Sequence, residues 1–80
     1  MDKMDYAILD TLLNADSTAK MNAVSLKAIL EKLDIPYGTL YRRISGLAAK
    51  GYIEKGIKES YSDTYYITGN GKKILREAMS

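Results

Sequence analysis

Residues 24–53 read VSLKAILEKLDIPYGTLYRRISGLAAKGYI, and this stretch indicates most clearly how the chain folds. Ser25 can begin a helix, because its hydroxyl accepts a hydrogen bond from an unpaired amide of the first turn. The predicted helix extends to about Leu33, and residues 34–36 follow as a turn. Its buried side is expected to consist of Leu26, Ile29, Leu30 and Leu33.

A second helix is predicted from Pro36 to about Lys50. Proline suits the first helical position, where the amide needs no partner, and a glycine such as Gly51 is typical of a helix end. The apolar stripe of this helix is formed by Leu40, Ile44 and Leu47. Two amphipathic helices joined by a three-residue turn predict a helix-turn-helix.

The second helix of this motif has a face that its apolar stripe leaves free. An α-helix fits the major groove of B-DNA, where arginine can bond bidentately to guanine or bind a phosphate. We therefore expect this face to contact DNA. The candidate contacts are Tyr37, Gly38, Thr39, Tyr41, Arg42 and Arg43, with Ser45 on the same surface.

Several of these residues have an alternative interpretation. One of the two arginines could be solvated while the other pairs with an acidic neighbour. Tyr41 could pack against the preceding helix and present only its hydroxyl outward. Gly38 could allow close approach of the backbone to DNA or could simply be tolerated.

A further helix is predicted before the motif, from residue 2 or 3 to residue 14. Ile8 and Leu12 are expected to face the core, whereas Leu9 and Leu13 are expected to remain available for a partner chain. Residues 14–18 are rich in turn formers and indicate a loop.

After the motif, two strands over residues 52–58 and 64–67 predict a β-hairpin with a polar tip at residues 59–63. Tyr52 and either Tyr65 or Tyr66 are expected in the core, because one face of the hairpin must cover the helices. Thr68 is expected to cap a last helix. Its apolar side is predicted to contain Ile74, Leu75, Ala78 and Met79.

Lysines outside the second helix of the motif are weaker candidates for DNA contact. Lys55 and Lys58 in the hairpin are expected to contact phosphates or a minor groove, although Glu59 and Asp63 would repel phosphate. Lys27 is the candidate in the first helix of the motif, since that helix crosses the phosphate backbone in this arrangement. The alternative for Lys27 is an ordinary solvated lysine.

The order of predicted elements, together with two motifs, resembles the winged-helix transcriptional regulators. In residues 39–53 the resemblance is carried by the run TLYR, then Ile44 and Leu47, then the run GYI. Residues 64–75, TYYITGNGKKIL, are similar to the strand and last helix of the same families. The match covers almost the whole chain and is strongest to the PadR-like and MarR-like groups.

The resemblance implies an α+β, mainly helical, winged helix-turn-helix fold. It consists of a three-helix core, a two-stranded β-hairpin wing and a C-terminal helix. Members usually carry additional helices for dimerisation or ligand binding, whereas this chain ends soon after the wing. We therefore expect a minimal form, a single domain over residues 1–80, with no cofactor and no evident small-molecule ligand.

Spare apolar faces on the first and last helices suggest a homodimer that binds a two-fold related DNA site. A small domain gains stability from such pairing, because it buries little of its unfolded surface. The residues expected at the dimer interface are Leu9, Leu13, Leu75 and Met79.

Composition excludes several other classes of function. The chain has no Cys and no His, so disulfides, thiolate metal sites and histidine-based catalysis are excluded. It shows no phosphate-binding loop and no pairing of a nucleophile with a base, and we expect no enzyme activity. With no leader segment, a cytoplasmic location is expected.

Charge is distributed unevenly along the chain. Its net value is only +2, but carboxylates outnumber cations before Pro36 and cations outnumber carboxylates after it. The second half is therefore the expected anion-binding side. Two alternatives to a transcriptional regulator stay open at this point: a winged-helix protein-interaction module, and a phage or mobile-element accessory factor for replication, excision or conjugation.

Overall fold

The computed structural model describes residues 1–58 and 62–79. Within these residues there are four α-helices, three short strands and one 3₁₀ turn at Lys20–Asn22. The helices are α1 (Lys3–Asn14), α2 (Leu26–Lys32), α3 (Tyr37–Ala49) and α4 (Gly69–Ala78). The strands are β1 (Val24–Ser25), β2 (Ile53–Lys55) and β3 (Thr64–Ile67).

Side-chain caps define where three of the helices begin. Asp2 caps α1 and accepts from the amides of Met4 and Asp5, while Ser25 caps α2 and Thr68 caps α4. These hydrogen bonds satisfy amides that have no partner within the helix. The predicted starts of all three helices are confirmed.

The ends of α3 differ slightly between prediction and structure. Pro36 is the N-cap residue in extended conformation, so it precedes the helix instead of occupying its first position. Gly51 has φ +80°, a left-handed conformation that favours glycine, and its amide donates to Ala48. The helix therefore ends as the sequence predicts.

The sheet has one more strand than the predicted hairpin. β1 pairs antiparallel with β3, which also pairs with β2, so the order is β1-β3-β2. Val24 lies opposite Tyr65, and Ile53 lies opposite Ile67. The predicted two-stranded wing is present as β2 and β3, and β1 joins it to the start of α2 as a third strand that was not predicted.

The loop after α1 is also tied to this sheet. Ser17 is fully buried, its hydroxyl donates to the Tyr65 carbonyl, and its own carbonyl accepts from the Ile67 amide. The loop was predicted, but its buried serine and the 3₁₀ turn that follows were not. Because of these bonds, β3 is held by strands and loop on both sides.

One apolar core lies between the helices and β3. Its members are Ile8, Leu9, Leu12, Leu26, Ile29, Leu40, Ile44, Leu47, Ile53, Tyr65, Ile67 and Leu75. The expectation that Leu9 faces a partner chain is wrong, because its exposed fraction is 0%. Tyr65 is the buried tyrosine of its pair, while Tyr52 is only partly buried against the core.

Three residues of the predicted wing tip, at positions 59–61, lie outside the described residues.

Within the described ranges, none of the helices combines the length and apolar character that crossing a bilayer requires.

Candidate nucleic-acid interface

The exposed face of α3 carries Arg42 among small residues, with the larger Tyr37 and Tyr41 along one side. Leu40, Ile44 and Leu47 bury the opposite face of the helix in the core. The exposed residues directed away from that core include Gly38, Arg42, Ser45, Gly46 and Ala49. None of the described helices and strands covers this face, so it can approach a partner closely.

Arg42 is an exposed cation at the centre of this face. No carboxylate among residues 1–58 and 62–79 lies within ion-pair distance of its guanidinium. Its charge is therefore available to an external anion. An unpaired guanidinium on an open helix face matches the geometry that arginine uses for guanine or phosphate.

The two glycines of this face are not required by the fold. A Cβ atom built on Gly38 or Gly46 would meet nothing within 4 Å. Glycine in a helix costs roughly 0.5–1 kcal/mol relative to alanine. The absence of an internal reason for either glycine is compatible with close approach by an external molecule.

Tyr37 and Tyr41 form an aromatic ridge along one side of the exposed face. Their exposed fractions are 58% and 49%, and their rings stack on each other. Tyr41 therefore stacks on Tyr37 and leaves half of its surface in solvent. Thr39, the remaining candidate of the first turn, is half-buried.

Tyr65 of β3 lies close to this ridge, and sequence reasoning assigned it only to the core. Burial raises the pKa of its hydroxyl, and the nearby Asp63, Tyr41 and Tyr37 raise the pKa further. Tyr65 therefore interacts electrostatically with both tyrosines of α3. The sequence indicated only that Tyr65 lies in a strand. A position in a strand does not reveal which residues surround the hydroxyl.

Arg43 is directed toward the N-terminus of α1. Its Nη1 atom lies 2.6 Å from Asp2 Oδ2 and 3.5 Å from Asp5 Oδ2. This corresponds to the alternative in which one arginine of the pair binds an acidic neighbour. Arg42 and Arg43 are adjacent in sequence, but among the described residues a carboxylate pairs with Arg43 and none pairs with Arg42.

The contact with Arg43 helps to lower the pKa of the Asp2 carboxyl group. Desolvation alone would raise its pKa, but hydrogen bonds from the Asp5 amide and the Arg43 guanidinium, with the charge of Arg43, outweigh that effect. The pKa of Asp2 is therefore lowered from its ordinary value of 3.8. The lowered pKa is consistent with an ionised Asp2 held against Arg43.

A cleft of about 470 Å³ separates α3 from the start of α1. It is lined by Asp5, Arg42, Arg43, Gly46, Leu47 and Lys50. Lys50 was not among the sequence candidates, although it lies about two helical turns beyond Arg43 on the same side of the helix. Its exposed ammonium extends the cationic edge of the α3 face.

The lysine candidates outside α3 are exposed but differ in their partners. Lys27 lies on the exposed side of α2, and Lys58 is exposed on the wing. Lys55 lies 3.7 Å from the Asp63 carboxylate, so part of its charge is neutralised. The sequence predicted that wing carboxylates would oppose phosphate binding by the wing lysines. For Lys55 the opposing carboxylate is Asp63, with which it forms an ion pair.

A second groove, of about 320 Å³, lies between α1 and α4. Leu13, Lys72, Leu75, Arg76 and Met79 line it. Leu75 is almost fully buried at its base, whereas Met79 is 72% exposed. Of the four residues expected at a dimer interface, Leu13 and Met79 retain accessible apolar surface here, while Leu9 and Leu75 are enclosed in the core.

Comparison with known proteins gives one curated relative that spans the chain. The sequence is 27% identical over 79 residues to the DNA-binding protein TubR of Clostridium botulinum C phage, covering 99% of this chain and 98% of that protein. No family model matches the sequence.

Solved structures show the same arrangement of elements. TubR from Bacillus megaterium pBM400 superimposes with a TM-score of 0.89 at 19% identity, covering 99% of this chain and 87% of that one. The PcaV transcriptional regulator of Streptomyces coelicolor gives 0.80 at 16% identity, covering 95% of this chain and 51% of that one. The fold is a winged helix-turn-helix, with α2 and α3 as the motif and the β2–β3 region as the wing.

Proposed function

We propose that this protein is a sequence-specific double-stranded DNA-binding protein that acts as a small transcriptional regulator in the cytoplasm. The observation that carries the proposal is the uncovered face of α3 with the unpaired guanidinium of Arg42 at its centre. The DNA-binding relative, aligned over 99% of the chain, favours this function over a protein-interaction module.

In this proposal α3 enters the major groove, and Arg42 reads a base. Tyr37, Gly38, Thr39 and Tyr41 lie in the first two turns of α3, the part that reaches base edges in this motif. Arg43 leaves the set of expected contacts, since Asp2 and Asp5 occupy its guanidinium. The similarity to PadR-like and MarR-like regulators in residues 39–53 supports the same orientation of α3.

Lysines around α3 would bind the sugar-phosphate backbone. Lys27 on α2 and Lys58 on the wing are exposed, and Lys55 would first have to exchange Asp63 for a phosphate. Contacts of this kind orient the protein on the duplex and add affinity without reading sequence. We expect each phosphate contact to add about 0.9 to the salt dependence of binding, expressed as the slope of log K against log salt.

We further propose that the protein binds as a homodimer through the α1–α4 groove. The support is the accessible apolar surface of Leu13 and Met79 beside that groove. A two-fold dimer would place two copies of α3 in half-sites about one helical turn of DNA apart. The matching target is an inverted repeat.

The test of the DNA-binding proposal is selection from a pool of random duplexes, followed by binding measurements on the enriched duplex. Arg42→Ala should weaken binding by about 1–3 kcal/mol and relax the preference at one base pair. Lys73→Ala is the matched control, because it removes one exposed charge from α4, away from α3. If no duplex is enriched, or if both variants behave alike, the proposal is wrong.

A further inference from the structure

We infer that Arg43 is a positioning residue that holds the recognition helix against the N-terminus of α1, and that it does not bind DNA itself. The inference rests on the proposed function, because the consequence of the positioning is the direction in which Arg42 enters the groove. It concerns three residues, Arg43, Asp2 and Asp5, which we call the α1–α3 clasp.

The acceptor side of the clasp is fixed by hydrogen bonds of its own. Oδ1 of Asp2 accepts from the amides of Met4 and Asp5, at 3.0 Å and 3.3 Å. Oδ2 of Asp5 accepts from the Asp2 amide at 3.2 Å. Asp2 therefore caps α1 with one oxygen and binds Arg43 with the other, so the first turn of α1 presents its carboxylates in a defined geometry.

The donor side of the clasp comes from the middle of α3. Arg43 follows Arg42 directly, and successive residues of a helix are separated by about 100° around its axis. A guanidinium held at Arg43 therefore limits rotation of α3 about that axis, and this rotation sets where Arg42 is aimed. The buried stripe of α3 lies next to Arg43, which is three residues from Leu40 and four from Leu47, so the clasp braces the helix at the edge of its buried face.

The charges around the clasp allow a test that distinguishes positioning of α3 by Arg43 from a purely electrostatic effect on DNA binding. The clasp contains two carboxylates and one guanidinium, and Arg42 and Lys50 line the adjoining cleft. Charge alone predicts that removing a carboxylate beside a DNA-binding face strengthens binding to DNA of any sequence. Positioning predicts the opposite result for the selected duplex, because a misaligned Arg42 loses its base contact.

The experiment compares Asp2→Asn and the double variant Asp2→Asn with Asp5→Asn. Asparagine keeps the side-chain oxygen that caps α1 but removes the charge that binds Arg43. Circular dichroism and thermal unfolding establish that each variant is folded. The affinity of each is measured for the enriched duplex and for an unrelated duplex of equal length.

We expect the ratio of specific to unrelated affinity to fall at least about fivefold in both variants, the lower end of what one bidentate base contact supplies. Affinity for the unrelated duplex should stay equal or rise. Asp10→Asn is the matched control, because Asp10 lies on the same helix and its carboxylate accepts a hydrogen bond from the Asn14 side chain instead of binding Arg43. It should leave the ratio unchanged.

A second variant makes the test independent of the acidic residues. Arg43→Lys keeps the positive charge but replaces the planar guanidinium, whose Nη1 atom contacts both carboxylates, by a compact ammonium on a flexible stem. The clasp predicts a reduced ratio, whereas a simple phosphate contact predicts little change. Tighter binding of Asp2→Asn to the enriched duplex, or an unchanged ratio in Arg43→Lys, overturns the inference while leaving DNA binding by the wild type intact. Failure of the wild type to select any duplex overturns the proposed function itself.

Discussion

Tyr37 and Tyr41 stack with ring centroids 6.3 Å apart and ring planes inclined by 25°. They are four residues apart, a spacing that brings side chains together on one side of a helix. Both rings remain about half exposed although each could bury a large apolar area. Aromatic side chains are enriched where protein surfaces bind partners, so the ridge is included in the proposed DNA interface as a prediction to be tested.

Replacing Tyr41 by alanine should reduce DNA affinity much more than stability. The ring is exposed, and exposed substitutions usually change the free energy of unfolding by less than about 0.5 kcal/mol. Tyr41→Phe keeps the stacked ring and removes only the hydroxyl, so its loss should be about 0.5–1.5 kcal/mol, the value of one hydrogen bond. Fluorescence anisotropy with the enriched duplex and urea unfolding give the two quantities. Equal losses of stability and affinity in Tyr41→Ala would contradict this role.

Gly46→Ala should change stability and DNA binding in opposite directions. An added Cβ meets no internal atom, so alanine should stabilise the helix by roughly 0.5–1 kcal/mol. The same methyl group lies on the exposed face, where it would hold the helix away from the duplex and lower affinity. Urea unfolding and binding to the enriched duplex measure the two effects.

Gly71→Ala is the contrasting variant for that prediction. Gly71 is buried, and a Cβ there would collide with the Tyr52 carbonyl and the Ile67 side chain. We therefore expect this variant to be destabilised without a specific effect on DNA recognition. If Gly46→Ala also loses stability, or if it binds as tightly as the wild type, the interpretation of the α3 face is incorrect.

Local signals account for what was predictable from the sequence. Ser25 and Thr68 each begin a helix by accepting a hydrogen bond from an amide three residues later, and Gly51 ends one through its own backbone conformation. Each of these signals is local in the sequence. β1 was missed because it contains only two residues and is recognised through its partner β3, about 40 positions away. The pairing of Val24 with Tyr65 has no local pattern that could reveal it.

Contacts between distant elements explain why Leu9 was misassigned and why the sequence did not tell which of Arg42 and Arg43 is paired. The apolar stripe of α1 is wide, and β3 and α4 pack across it, so Leu9 is enclosed by the chain itself. Similarly, the sequence does not show which of Arg42 and Arg43 pairs with a carboxylate. Only the approach of the α1 N-terminus to α3 determines that Arg43 is the paired arginine.

Met79→Asp should separate the proposed dimer into monomers without unfolding them. Met79 is exposed beside the α1–α4 groove, and a carboxylate at an apolar interface is unfavourable unless it is paired. Sedimentation velocity of the wild type and the variant measures this change. Met21→Asp is the control, because Met21 is a still more exposed methionine on the 3₁₀ turn. A monomeric wild type, or an unchanged variant, would exclude this interface.

Leu9→Ala should behave differently from Met79→Asp. Leu9 is fully enclosed in the core of one protomer, so its truncation should lower the free energy of unfolding by about 2–5 kcal/mol. Its effect on stability should appear at every protein concentration, unlike that of a residue at a dimer interface. Urea unfolding at two protein concentrations distinguishes the two cases.

The stability contributed by Asp2 should depend on pH in a defined direction. Its pKa in the folded protein is lowered below the ordinary value of 3.8 by hydrogen bonds and by Arg43, despite desolvation in the opposite direction. The folded state therefore binds fewer protons than the unfolded state in this range, and stability rises with pH. The contribution is fully present above pH 3.8 and is lost as the pH falls through the lowered pKa.

Asp2→Asn measures this contribution, because it keeps the cap and removes the titrating group. The groups that face Asp2 are Arg43 and, within the same capping box, Asp5. We expect the difference in unfolding free energy between the wild type and Asp2→Asn to be constant near neutral pH and to shrink below pH 3.8. Urea unfolding of both proteins from neutral to acidic pH gives that difference directly. A difference that persists unchanged at acidic pH would mean that the Asp2 carboxylate is not stabilised by its ionised contact with Arg43.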